Sequence, residues 1–223
     1  TAPLARLGET LSRVPERLRT WDARDYLAPT ATFYHAPDGS KPVALEVIDP
    51  GCRFCRALTK NMKSAGVMER ANVSYLLYPI PGAGTGGTRF PHSALVASYV
   101  EAAKRVPLTR GDPSVPADWQ LLGRIFAEPE GGGVDLQTAF NMGMSSEQAR
   151  GTLESPLGEI GYTDAEVAWV ARLAAAAEVR NSLDQQREIV EGRIRTVKIP
   201  TLFVGGRRFD RVVGPETLEW LVP

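Results

Sequence analysis

The sequence predicts an α/β fold with strands toward both ends of the chain and helices through the middle. Three observations carry this. Val43–Ile48 is an apolar, β-branched run with one charge that stops at Asp49-Pro50-Gly51 and gives way to helix-forming sequence. Thr201–Val204 and 207–213 flank Gly205-Gly206, the pattern of two strands joined by a tight hairpin turn. Between these ends, 93–190 reads as mostly helical.

Taken in order, residues 1–30 form a lead-in. Leu4, Leu7, Leu11, Val14 and Leu18 recur at three- and four-residue steps, the stripe of an amphipathic helix. Pro15 interrupts it, so a first helix ends near Arg13 and a second starts at Pro15. The stripe either packs on its own domain or meets a second copy of the chain. Residues 31–35 and Val43–Ile48 flank Asp38-Gly39-Ser40, a hairpin signal. Residues 56–62 read as a helix with Leu58 and Met62 on one face, and Asn72–Leu77 as the next strand. The Gly-rich loop 81–87 lacks the Lys-Ser/Thr ending of a phosphate loop and opens no dinucleotide-type helix. Helices follow at 93–105 and 118–126, with a loop at 128–133. Thr163 and Glu166 make a capping box that opens a run through Ala177 and on toward Val190, and the cluster 174–177 of alanines favours continuity. Pro215 stands in the first turn of a closing helix.

The composition is that of a globular protein: 223 residues, 43% hydrophobic and 23% charged. Lys plus Arg and Asp plus Glu both number 26, so net charge gives no pointer to nucleic acid or to an anionic membrane surface. No apolar run is long enough to cross a bilayer. The chain begins at Thr1, so either a signal peptide has been removed or the chain has been trimmed.

Cys52 and Cys55 are the only cysteines. A disulfide between them closes a four-residue loop and stabilises by only about 2 kcal/mol, so the pair points to chemistry rather than to a staple. Two thiols at this spacing cycle between dithiol and disulfide. Cys52 falls at a helix N-terminus, where free N–H groups and the helix dipole favour a thiolate. Cys55 lies one turn further in, closer to an ordinary thiol. Cys52 is then the attacking sulfur and Cys55 the resolving one, with the Arg53 charge lowering Cys52 further. Zinc needs a second ligand pair, and His35 and His92 stand far apart; they read as the end of an edge strand and the start of a helix. No metal or organic cofactor is expected. The absence of other cysteines suits an oxidising compartment.

Ile199-Pro200-Thr201 leads into the C-terminal hairpin. A proline here either begins an edge strand or takes a cis bond. The whole order — strand, CxxC at a helix start, long helical stretch, Ile199-Pro200-Thr201, hairpin, last helix — resembles the thioredoxin superfamily over roughly residues 31–221. Within it, Asp49-Pro50-Gly51-Cys52-Arg53-Phe54-Cys55 resembles the Asp-Pro-x-Cys-x-Tyr-Cys signature of bacterial periplasmic disulfide isomerases of the DsbC/DsbG type, and 73–79 resembles the strand after their first helix. The resemblance implies a thioredoxin-like fold with an inserted helical subdomain: core at 31–92 and 191–223, insert at 93–190 lidding the site. It implies a cis Pro200 against the sulfurs, with Arg53, Phe54, Ile199, Pro200 and Thr201 holding substrate in extended form. It departs from the signature at Phe54, which replaces Tyr, and at Ile199, where those isomerases carry Thr. Glu46 stands six residues before Cys52, where related proteins carry a buried Asp or Glu. Strand alternation puts it opposite Leu45 and Val47, beneath the cysteines, and burial raises its pKa so that it exchanges a proton with Cys55; the alternative is an edge charge facing water.

The implied activity is thiol–disulfide exchange of the isomerase or reductase type in a bacterial periplasm. The implied partners are unfolded or misoxidised exported proteins and a membrane redox partner, reductase or oxidase. A DsbA-like dithiol oxidase, a chaperone-like peptide-binding module and a soft-metal handler remain as alternatives. DsbC/DsbG-type proteins dimerise through a separate N-terminal domain too large for 30 residues. Any homo-oligomer here would use another route, with the N-terminal helix as the candidate.

Overall fold

The structure, a computed structural model, describes residues 20–82, 87–128, 133–196 and 198–222. The amphipathic stripe between Leu4 and Leu18, the interior of the Gly-rich loop and most of the 128–133 loop lie outside these residues.

Among the described residues four strands form one sheet in the order β2-β1-β3-β4: β1 is Val43–Ile48, β2 Asn72–Leu77, β3 Thr201–Val204 and β4 Arg207–Phe209. β1 pairs parallel with β2 and antiparallel with β3, so it has neighbours on both edges. A parallel pair needs a crossover, supplied here by helices α1 (Arg53–Ser64) and α2 (Val67–Arg70). Gly66, at φ 64, makes the left-handed step between them. β1 alternates its contacts, as a two-period strand must. Ala44 and Ile48 pack with Cys55, Leu58 and Met62 of α1, whereas Leu45 and Val47 pack with Ile189, Val190 and Phe203 on the other face. Each fully buried aliphatic side chain of this kind contributes roughly 1.5–3 kcal/mol of transfer free energy. Gly205 and Gly206, at φ 56 and 71, make the β3–β4 turn, a conformation suited to glycine.

Between β2 and β3 the chain inserts six helices among the described residues: α3 (Ser93–Ala103), α4 (Ala117–Ile125), α5 (Leu136–Asn141), α6 (Ser146–Glu159), α7 (Asp164–Ala174) and α8 (Ala177–Glu188). A π-helical turn, Ile189–Ile194, follows, and α9 (Pro215–Leu221) closes the chain. Asp135 caps α5, and Ser145 with Gln148 forms a capping box on α6. Glu101 of α3 ties the insert together. It is fully buried and accepts from Ser182 Oγ at 2.7 Å and Gln186 Nε2 at 3.0 Å, while Lys104 Nζ lies 2.8 Å away. Gln186 in turn accepts the Leu77 N–H at 2.8 Å, joining α8 to β2.

Three local expectations are corrected. Residues 31–35 do not form a hairpin with β1. Phe33 bridges Ser74 and the Tyr34 N–H donates to Val73 O at 2.9 Å, at the outer edge of β2, because both edges of β1 are already taken. The run from Thr163 is not one helix: Ala176 is extended (ψ 154), breaking it into α7 and α8. The break lets both segments pack on α3, burying Val170 and Val179, which a straight helix would carry past it. The returning strand stops at Phe209, since Asp210 turns to accept from Thr201 Oγ1 and Arg208 Nε, each at 2.9 Å.

Candidate active site

The site grows from the β1–α1 junction. Asp49 ends β1 and its carboxylate accepts the Gly51 N–H at 2.8 Å, the Ile80 N–H at 2.7 Å and the Ser93 hydroxyl. Its carbonyl accepts the Cys52 N–H at 2.9 Å, closing the tight turn that delivers Cys52 to the N-cap of α1. Gly51 is required by close approach: a Cβ there would stand 2.6 Å from the Cβ of Phe90.

Both cysteines are thiols. Cys52 is 3% exposed and Cys55 is fully buried. The Cys55 thiol hydrogen bond is the largest influence on Cys52, outweighing burial; with the backbone N–H groups of Cys55 and Phe54 it brings Cys52 from 9.0 to about 7, while the Asp49 carboxylate opposes. Burial pushes Cys55 well above its ordinary value, and Cys52 and Glu46 add to this; the Asp49 N–H, 3.4 Å from Cys55 Sγ, opposes. The expected asymmetry of the two sulfurs is present. Backbone N–H groups lower Cys52 as the sequence reading expects, but the larger cause is the Cys55 thiol, which that reading did not include; the Arg53 guanidinium lies over the Phe54 ring, 5.0 Å from its centroid.

The Ile199–Pro200 bond is cis, and Cys52 Sγ lies 4.0 Å from Ile199 O. Thr201 is fully buried rather than cavity-facing. Its hydroxyl lies 2.7 Å from Lys198 O and 2.9 Å from Asp210 Oδ1, so it fixes the turn from inside. Arg53, Phe54 and Ile199 join Cys52 in the wall of one cavity of about 860 Å³, with Ile80, Arg89, Phe90 and Lys198. Its far wall is Gln137, Thr138, Asn141 and Met142 of the insert. Gln137 Nε2 donates to Pro50 O at 2.8 Å and Asn141 Nδ2 to Gly51 O at 2.9 Å; Arg56 and Asp135 pair at 2.7 Å.

Glu46 is fully buried on β1, on the face of Ala44 and Ile48 as alternation predicts. The Thr59 hydroxyl lies 3.1 and 3.2 Å from its two oxygens. Burial raises the Glu46 pKa from 4.5 to about 8, with the Cys52 charge adding and Thr59 and Lys63 opposing. Thr59 and Lys63 also line a second cavity of about 370 Å³, which shares Arg56 with the Cys52 cavity.

Sequence reasoning missed the role of Asp49, which it read as a strand breaker and as the start of the Asp-Pro-x-Cys signature; Asp-x-Gly is also the signal of a side-chain-to-backbone turn. It missed Gln137 and Asn141, for which no local signal exists, and Asp135, which an N-cap signal could have found. His35 and His92 do not meet: the His92 ring lies 2.7 Å from Met144 O and His35 lies 3.5 Å from Ser114 O.

No protein-family model matches the chain, and no curated protein sequence matches it. Solved structures do. A thioredoxin-like oxidoreductase from Silicibacter pomeroyi superposes with a TM-score of 0.60 at 18% identity, covering 89% of this chain and 95% of that one. ScsC from Proteus mirabilis, in a transitional conformation, gives 0.58 at 15% identity over 99% and 85%. The thiol-disulfide exchange protein α-DsbA2 from Wolbachia pipientis gives 0.52 at 14% over 85% of each chain. The chain therefore has a thioredoxin-like fold, with a helical region inserted between β2 and β3.

Proposed function

We propose that this protein is a thiol–disulfide oxidoreductase of the isomerase or reductase type, acting on exported proteins through Cys52 and Cys55. The observation that carries the reading is the pairing of a raised, buried Cys55 with a lowered Cys52 whose Sγ lies 4.0 Å from the Ile199 carbonyl, a backbone group able to align substrate. The Cys52 thiolate attacks one sulfur of a substrate disulfide. The substrate S–S bond breaks, a mixed disulfide forms, and the leaving substrate thiolate takes a proton. In reduction, Glu46 in its carboxylate form accepts the Cys55 proton, and the Cys55 thiolate attacks Cys52 Sγ. The second substrate thiol leaves, so two electrons pass to substrate and the Cys52–Cys55 pair becomes a disulfide. In isomerisation, a substrate thiolate attacks the mixed disulfide instead and Cys52 returns as a thiolate, with no net electron transfer. Ile199 would hold the substrate backbone as an added strand, and a membrane partner would restore the dithiol.

A Cys52 value of about 7 supports this direction, since a strong oxidase stabilises its thiolate far more. The Asp49-Pro50-Gly51-Cys52 sequence supports a DsbC/DsbG-type assignment and a periplasmic location. We assign 31–92 and 191–223 to the catalytic core, 93–190 to the lid, and 1–30 to a lead-in. Among the described residues no helix is long and apolar enough to cross a membrane. The likeness to α-DsbA2 and the buried Glu46 favour a second reading, a DsbA-like oxidase. Exposed Phe54 and Met142 favour a third, a peptide-holding module.

Cys52→Ala is expected to abolish insulin reduction and refolding of scrambled ribonuclease. Full activity in both refutes the assignment. Suppression of aggregation that survives loss of both cysteines would favour the peptide-holding reading.

A further inference from the structure

The rim of the Cys52 cavity carries a charge imbalance that redox chemistry alone does not need. Arg53, Arg56, Arg89 and Lys198 line it, against one carboxylate, Asp210. Arg56 is paired with Asp135 at 2.7 Å and Asp210 with Arg208 at 2.9 Å, so these cancel. Arg53, Arg89 and Lys198 are exposed and make no ion pair among the described residues. They come from three places: the start of α1, the loop before α3 and the turn before β3. Arg53 lies over Phe54 and Arg89 over Phe90, 5.9 Å from its centroid, so two of the charges are held beside the apolar wall. The chain as a whole balances 26 cations with 26 anions, so this is a local concentration.

We infer that the site selects cysteines flanked by acidic residues, with an apolar residue meeting Phe54, Phe90 or Met142. This rests on the redox reading above and names its substrate class. Each exposed charge contact changes a rate about two- to threefold, so three acting together give on the order of tenfold between acidic and basic flanks at low salt. Screening removes most of this at high ionic strength.

Three peptides of equal length, with one cysteine flanked by Glu, Gln or Lys and capped as a thiopyridyl disulfide, test the inference on the intact protein. The Cys52 thiolate attacks the peptide sulfur, the capped S–S bond breaks, and thiopyridone leaves and is read by absorbance. The expected order is Glu, Gln, Lys, with convergence in molar salt and reversal in the R89E/K198E variant. Equal rates for the three peptides at low salt in the unmodified protein overturn the selectivity, and so does an order that R89E/K198E leaves untouched. Uncharged dithiodipyridine separates the two claims: if Cys52 reacts with it no faster than free cysteine, the redox reading itself fails.

Discussion

The cavity above Cys52 has walls of two origins. The core wall comes from the β1–α1 junction and the turn before β3, and its polar groups act on sulfur: the Cys55 thiol and the N–H groups of Phe54 and Cys55 on Cys52, and the Asp49 N–H on Cys55. The insert wall comes from α5 and the turn after it, and its polar groups act on backbone: Gln137 on Pro50 O and Asn141 on Gly51 O. The core wall tunes the thiols, and the insert wall holds the loop that carries them. A variant on one wall should therefore change a different observable from a variant on the other.

The largest effect is expected on the core side, at Glu46. Its folded pKa, about 8, is raised above the ordinary 4.5. Between those values the native protein holds a proton that the unfolded chain releases, so stability is fully present below about pH 4.5 and is lost as pH rises toward 8, at up to about 1.4 kcal/mol per pH unit. The lowered Cys52 acts with the opposite sign, but only from about pH 7 upward, leaving the acid side of the window to the carboxyls. Burial raises Asp49 too, so the difference between variant and parent isolates Glu46. Urea unfolding of the dithiol form from pH 5 to 7 is expected to show a shallower fall in Glu46→Gln. Identical slopes in both proteins would remove Glu46 from its buried site.

A smaller effect is expected on the insert side. Gln137→Ala with Asn141→Ala removes two donors from the Pro50-Gly51 carbonyls and should cost about 1–3 kcal/mol together. The pH midpoint of Cys52 alkylation should stay near 7, while exchange with peptide disulfides slows severalfold. A midpoint shifted by a full pH unit would mean that the insert tunes the thiol as well, and the division between the walls would collapse.

The same division explains what was legible in the sequence. The bounds of β1, β2, β3 and α9 follow from apolar runs, turn residues and a first-turn proline, all local signals, and the observed spans agree with them. The direction of the sulfur asymmetry follows from position in a helix, though its largest cause, the Cys55 thiol hydrogen bond, does not, and the Glu46 burial follows from strand alternation. The failures are non-local. The turn at 38–40 marks a reversal, but the edge that 31–35 joins is decided by β3 occupying the free side of β1. The alanines at 174–177 favour helix, yet packing of two segments on α3 overrides them. The Gln137 and Asn141 bonds join residues 87 and 90 positions apart, and nothing in the local sequence announces a partner at such a distance.

The central claim is that Cys52 and Cys55 are chemically unlike because Cys52 stands at a helix cap and is hydrogen-bonded by the thiol of Cys55, which lies buried behind it. The pH dependence of iodoacetamide alkylation, with the modified residue located by mass spectrometry, tests this directly. The account predicts that Cys52 alone is modified, with a midpoint near 7 that moves up toward 9 in Cys55→Ala as the largest stabilising hydrogen bond is lost. A midpoint near 9 in the unmodified protein, or equal labelling of both cysteines, would contradict it.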